Sequence, residues 1–244
     1  MEKISAGSRG GRNRVTVRLV NWRAVENLMY SSHRPCVEQY CRPANAWLSC
    51  APWLFAREML SHPAAVGAIW PSSRRLATIV ASRVPLDGDG LVVELGGGTG
   101  AVTYALLQRG IATGRLVVIE RSPAFVRHLR ARFPGVLIVK GDATELGEML
   151  PRGGRIDAIV SSLPLRSLPE REAAAVVAQW SSLIANGGVV VQFTYDLRWT
   201  ENRPPHGFLQ IASDIVWANI PPARVLALEY LGSDASQGMC ASSE

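Results

Sequence analysis

The apolar and polar positions of this chain change character twice before they settle into a repeat. Through residues 1–45 no period is sustained. Thr16 to Val20 alternates briefly, and Gly, Ser and Arg dominate before it. This stretch reads as an unstructured extension, with Met29 available as an alternative start. From Ala46 an aromatic-rich apolar segment follows, with Trp47, Leu48, Trp53, Leu54, Phe55, Met59 and Leu60. It predicts a helix that Ser49 can cap, with Pro52 in the first turn and His62-Pro63 ending it. A second helix is expected from Pro71-Ser72-Ser73, with Leu76, Ile79 and Val80 spaced for one buried face. Pro85, Gly88 and Gly90 then form a turn.

Beyond that turn the pattern is strand, turn, helix, repeated. Strands are expected at 91–95, 116–120, 136–139, 156–161 and 189–195. Helices are expected between them at 101–109, 122–133, 144–150 and 169–184. Ser122-Pro123 is a helix start, with Ser as cap and Pro in the first turn. The Val, Ile and Leu runs suit strands buried on both faces of a parallel sheet. Two last strands, at 215–220 and 225–231, are joined through Pro221-Pro222 and should close one edge of the sheet. The expected fold is therefore α/β, a Rossmann-like seven-stranded sheet, mostly parallel, with an antiparallel C-terminal hairpin and added N-terminal helices. Four regions follow: a basic extension at 1–45, helices capping the cleft at 46–85, the α/β domain at 86–231, and a small polar tail at 232–244.

Charge adds to this division. The net charge is +6. Residues 1–45 hold Lys3, Arg9, Arg12, Arg14, Arg18, Arg23, Arg34 and Arg42 against Glu2, Glu26 and Glu38, so most of the excess lies there. The α/β region is nearly neutral. A basic leader can touch nucleic acid or anionic lipid, or be a solvated arm. No apolar run approaches the ~20 residues needed to span a bilayer. The first residues lack the apolar core of a signal peptide, so a cytoplasmic location is expected. Cys36, Cys41, Cys50 and Cys240, even with His33, fit no zinc spacing, and no metal site is expected.

The chemistry begins at Val92-Val93-Glu94-Leu95-Gly96-Gly97-Gly98-Thr99-Gly100. Glycine lets the backbone turn sharply and approach a ligand closely. The step from Gly96 to Gly98 to Gly100 favours S-adenosylmethionine over a dinucleotide, whose fingerprint is GxGxxG. The region of Glu94 can favour the cofactor's ammonium. Glu120 ends the second strand, where a carboxylate can accept both ribose hydroxyls. Gly141-Asp142-Ala143 follows the third strand, where Asp142 can accept the adenine amino group. Glu120 and Asp142 could instead serve only as helix caps. Acids at three successive strand ends, with Ser161 ending the fourth strand, match ligand binding at the carboxyl edge of a parallel sheet.

Methyl transfer is an in-line displacement, so a protein chiefly aligns acceptor and sulfonium. The residues after the fourth strand, Ser162-Leu163-Pro164-Leu165-Arg166, lie where the methyl would point. They lack the amide and the aromatic with which base-amino methyltransferases hold and stack a nucleobase. Here the chain resembles the bacterial phospholipid N-methyltransferases. The resemblance rests on Ala65-Val66-Gly67-Ala68-Ile69-Trp70-Pro71-Ser72-Ser73, the glycine loop, Ser162-Leu163-Pro164-Leu165, Gln192-Phe193-Thr194-Tyr195, and Val216-Trp217-Ala218-Asn219-Ile220-Pro221-Pro222-Ala223. It covers roughly residues 54–231, and residues 1–45 match nothing in that family. It implies a class I methyltransferase fold and a peripheral enzyme at the inner membrane surface. It also implies up to three methylations of the phosphatidylethanolamine amine, toward phosphatidylcholine.

The residues add roles to that implication. An amine must lose a proton before it attacks, and Tyr195 can assist as proton acceptor or hydrogen-bond partner. Asp196 follows directly, and His206 lies in the next loop. Leu163, Pro164 and Arg166 are expected to line the acceptor site with Trp199 and Arg203. Both arginines can fork onto a phosphodiester, and Trp199 and Tyr195 can meet a methylated ammonium through cation–π attraction. The Trp47–Leu60 segment reads as an interfacial helix, with Arg42 and Arg57 toward anionic head groups, or simply as a lid on the cofactor cleft. The alternatives are rRNA adenine N6-dimethylation, methylation of a small soluble amine or a protein, and a cofactor-binding module without activity.

Overall fold

A computed structural model describes residues 73–150, 153–195, 197, 204–219 and 221–232. The extension at 1–45, the aromatic segment from Trp47, the four cysteines, His33, Asp196, Trp199 and Arg203 lie outside the described residues.

The first described helix, α1 (Arg74–Ser82), starts where Ser73 accepts a hydrogen bond from the Leu76 amide at 3.1 Å. Its buried residues are Leu76, Ala77, Val80 and Ala81, while Ile79, expected on that face, is half-buried at its margin. Strand β1 (Leu91–Leu95) is buried at every position and leads into α2 (Ala101–Arg109). Strand β2 (Leu116–Glu120) is buried throughout and leads into α3 (Pro123–Arg132), capped by Ser122. Strand β3 (Leu137–Lys140) is followed by a 3-10 turn and the short α4 (Leu146–Met149). Strand β4 (Ile156–Ser161), α5 (Glu170–Leu183) and β5 (Ile184–Thr194) complete the parallel part. The chain ends on β6 (Phe208–Val216) and β7 (Ala223–Tyr230).

The seven strands lie in the order β3-β2-β1-β4-β5-β7-β6. Pairs from β3 to β5 are parallel, and β7 runs antiparallel to both β5 and β6. Strand order reverses between β1 and β4, the switch point where doubly wound sheets open a ligand crevice at the carboxyl ends of their strands. Alternation along each strand divides the core in two. Val92, Val118 and Val160 pack with Leu76, Leu106 and Leu129 from α1, α2 and α3. Val93, Ile119 and Ile159 pack with Leu146, Val176 and Trp180 from α4 and α5.

The strand expected at 189–195 is longer, running from Ile184 to Thr194, and two further expectations need correction. The penultimate strand runs from Phe208 to Val216, not over 215–220. As an edge strand it keeps Leu209, Gln210, Ile211 and Ser213 exposed, so it shows no apolar run. Residues 217–219 are instead a turn. Asn219 holds it there, accepting from the Ser73 amide at 3.1 Å and donating to the Pro221 carbonyl at 2.7 Å. The helix expected at 144–150 is only Leu146–Met149, because Asp142 caps a 3-10 turn at Ala143–Glu145 first.

Candidate active site

The glycine loop closes on its neighbours through backbone contacts. The Gly96 amide donates to the Ile119 carbonyl at 2.8 Å, the Ser162 amide to the Leu95 carbonyl at 2.9 Å, and the Gly141 amide to the Glu120 carbonyl at 3.1 Å. The ends of β1 to β4 are thereby tied into one edge. Two glycines are dictated by geometry. Gly100 caps α2 with φ +79°, and a Cβ there would meet the Phe133 ring at 2.6 Å. Gly98 has φ +50°, yet a Cβ would meet nothing within 4 Å. The loop is thus tight against the core at Gly100 and open above Gly98, which suits close approach of a ligand to the backbone.

Glu120 lies between this loop and α3. Its Oε2 accepts from the Gly98 amide at 2.9 Å, and its Oε1 accepts from the Ser122 amide at 2.8 Å. Asp142 is half-exposed. Its Oδ1 accepts from the Thr144 amide and hydroxyl at 3.0 and 2.9 Å, and Arg121 lies 3.4 Å from Oδ2. Burial works to raise its pKa, but the Thr144 bonds and the Arg121 charge outweigh that and hold it below the ordinary value. The helix-cap reading is thus true of Asp142 without excluding a ligand on the Oδ2 side. Ala143, half-buried, packs on the α4 and α5 side of the core.

Glu94 differs from both. It is fully buried on the α2 face of β1, and Thr103 of α2 donates to its Oε2 at 2.7 Å. Burial raises its pKa to about 8, with Glu120 adding repulsion and Thr103 resisting. At neutral pH it is mostly a neutral acid, so the expected attraction for an ammonium needs the proton to leave first. Its Oε1 is buried without a hydrogen-bond partner, as are the hydroxyls of Ser161 and Ser162 at the end of β4. Register places Leu95 opposite Ser161, so these orphaned polar atoms share one sheet edge. A polar ligand with an ammonium and a carboxylate is the kind of group that such an edge accommodates.

The acceptor side follows β4 and β5. Leu163 and Pro164 are half-buried, and Arg166 is exposed in the 3-10 turn Leu165–Ser167. The Leu163 side chain covers Gly96, lying 3.0 Å from where a Cβ would be. Gln192, buried in β5, fixes this loop by donating to the Leu163 carbonyl at 3.0 Å. Tyr195 follows β5 and meets Phe193 edge-on, with ring centroids 6.0 Å apart. Burial raises its pKa, and a hydrogen bond with Asn219 only partly opposes this. Tyr195 is therefore a phenol at working pH, which favours hydrogen bonding over proton abstraction. His206 lies at the other end of the sheet. It precedes Phe208, which pairs with Tyr230, whereas Thr194 pairs with Arg224.

The sequence alone assigns no role to Thr103, Gln192 or Asn219. For Thr103 and Gln192 the usable signal was a polar residue at a position whose period is buried. Asn219 carried no such signal.

The chain matches the model of a methyltransferase domain family over residues 92–188. It is 32% identical over 180 residues to an ornithine lipid N-methyltransferase of Singulisphaera acidiphila, covering 70% of this chain and 92% of that protein. The chain belongs to the S-adenosylmethionine-dependent methyltransferases. A trans-aconitate 2-methyltransferase of Methylobacterium radiotolerans is 31% identical over 147 residues, 59% of this chain and 52% of that protein. Among solved structures, TrmN from Thermus thermophilus superposes with a TM-score of 0.53 at 18% identity, covering 69% of this chain and 52% of that one. The cyclase SpnF gives 0.53 at 17% identity, covering 74% and 94%. Those two likenesses concern the fold alone. This methyltransferase uses S-adenosylmethionine, which when bound supplies an electrophilic methyl group on a sulfonium. Among the described residues no helix is long and apolar enough to cross a membrane.

Proposed function

We propose that this methyltransferase transfers methyl groups to the head-group amine of a membrane lipid, with phosphatidylethanolamine and its methylated intermediates as acceptors, toward phosphatidylcholine. The observation that carries the reading is the likeness to an ornithine lipid N-methyltransferase over nearly the whole of that relative. The acceptor loop supports it. Leu163, Pro164 and Leu165 are apolar and bring no aromatic ring or amide to stack or pair a base.

In this reading Gly96, Gly98 and Gly100 let the cofactor approach the backbone. Glu120 takes the ribose hydroxyls, and Asp142 with Ala143 takes the adenine. Glu94 and Ser161 face the methionine end. Leu163 and Pro164 line the acceptor channel, with Arg166, Trp199 and Arg203 toward the head group. Tyr195 orients the incoming amine, whose lone pair is exposed only after its proton passes to solvent. The enzyme works at the cytoplasmic membrane surface, with the region at 46–85 capping the cleft and contacting that surface.

The test is transfer of radiolabelled methyl from S-adenosylmethionine to vesicles containing phosphatidylethanolamine, to vesicles containing ornithine lipid, and to ribosomal RNA. Label in mono-, di- and trimethylated phosphatidylethanolamine supports the proposal. Label confined to ornithine lipid moves the acceptor to that amine. Label on RNA with none on lipid refutes the lipid reading.

A further inference from the structure

Trp217 is 69% exposed, while Trp180 is 2% exposed in the core. It sits in the turn joining β6 and β7, where chain reversal calls for Gly, Asn, Asp or Ser rather than the largest apolar side chain. Folding therefore gives no reason for it. The location does. Val216 pairs with Ala223, and Arg224 pairs with Thr194, so the turn stands at the edge where β5 ends. Strands β1 and β4 run parallel to β5 and end at the same edge, which carries the glycine loop and the Ser162–Leu165 segment. The turn is rigidly attached there. Asn219 accepts from the Ser73 amide at 3.1 Å and donates to the Pro221 carbonyl at 2.7 Å, and it also bonds Tyr195.

The bond to Ser73 brings the start of α1 to the turn. Arg75 in the first turn of that helix is exposed, and that turn holds no acidic residue. The acid of β6, Asp214, is already paired with Arg83, with bonds of 2.8 and 2.7 Å. The rim is thus an exposed indole on a turn that is hydrogen-bonded to the start of a helix, whose second residue, Arg75, is exposed. That pairing fits the interface of an anionic bilayer, where indole rings settle at head-group depth and arginines meet phosphate. The exposed Leu209 and Ile211 lie toward the opposite end of β6 and take no part.

We propose that the β6–β7 turn, with its exposed Trp217, and the adjoining start of α1, with its exposed Arg75, form a docking surface for an anionic lipid bilayer. This rests on the reading of the acceptor as a membrane lipid. Docking here sets the open edge of the sheet against the head groups, so an acceptor reaches the Leu163–Pro164 loop without leaving the bilayer.

The test is cosedimentation of the full chain with phosphatidylethanolamine/phosphatidylglycerol vesicles and with phosphatidylcholine vesicles, read without methyl transfer. Trp217→Ala should lower partitioning to the anionic vesicles about tenfold, and Arg75→Gln roughly fivefold. Trp217→Phe should retain most of the binding, and Arg75→Gln should leave the phosphatidylcholine partition unchanged. Cofactor affinity by calorimetry should match wild type in each variant, which separates docking from folding. Methylation of short-chain lipid dispersed below its critical concentration should also be unchanged. Equal partitioning of wild type and Trp217→Ala overturns the proposal. So does a wild type that binds neither vesicle, or a Trp217→Ala change confined to self-association in sedimentation velocity. A wild type that partitions through Trp217 but methylates no lipid leaves the docking surface standing and refutes the acceptor instead.

Discussion

Replacing Glu94 with Gln should change how the stability of the cofactor-free protein depends on pH. Glu94 has no exposed surface, and its pKa stands at about 8 against 4.5 for a free side chain. Below pH 4.5 it is protonated in both folded and unfolded chains. Between pH 4.5 and about 8 the unfolded chain ionises while the folded chain keeps its proton. The folded state therefore holds more protons, and stability falls as pH rises through this window. With ~1.4 kcal/mol for each tenfold difference in proton affinity, the whole loss is on the order of 4–5 kcal/mol. The slope approaches ~1.4 kcal/mol per pH unit in mid-window. Asp142 has a lowered pKa and His128 is held below its ordinary value by burial, so both act in the opposite sense. They are common to both proteins and cancel in the comparison. Gln keeps an oxygen for the Thr103 hydroxyl and cannot ionise. Urea denaturation at pH 5, 6, 7 and 8 should give wild-type stabilities that fall relative to Glu94→Gln by the amounts above. Parallel pH profiles for the two proteins would refute the reasoning, since they would mean that Glu94 ionises freely in the fold.

Three further outcomes follow from the same edge. Glu120→Gln should weaken S-adenosylmethionine binding by about 2–3 kcal/mol, roughly 30- to 150-fold, because one amide hydrogen must face the Gly98 or Ser122 N–H; an unchanged Kd by calorimetry removes Glu120 from the site. Gly100→Ala should cost about 2–4 kcal/mol in urea denaturation, from its φ of +79° and the approach of a Cβ to Phe133, and a loss below ~1 kcal/mol would mean the α2 cap relaxes. Tyr195→Phe should lower kcat/KM about tenfold while leaving the shape of its pH profile intact, since the phenol stays protonated and the profile belongs to the amine; loss of a limb from the profile would make Tyr195 the base.

The strand–turn–helix repeat was legible because each β-strand from Leu91 to Ser161 is a local apolar run and each turn has its own Gly, Ser or Pro signal. The same local signals marked Gly96–Gly100, Glu120, Asp142 and Ser161 as strand-end residues, and the parallel fold then had to gather strand ends at one edge. Edge strand β6 is illegible in the sequence for the converse reason: one flank faces solvent, so its sequence carries no burial period. Ionisation states were also beyond the sequence. Glu94 and Glu120 are both glutamates at the end of an apolar strand, yet one is a buried neutral acid facing Thr103 and the other accepts two backbone N–H groups. Burial and partners come from residues distant along the chain, and only packing assigns them. The joining of Asn219, Ser73 and Tyr195 is of that kind. It depends on β7 entering the sheet between β5 and β6, a choice of pairing that no local pattern encodes.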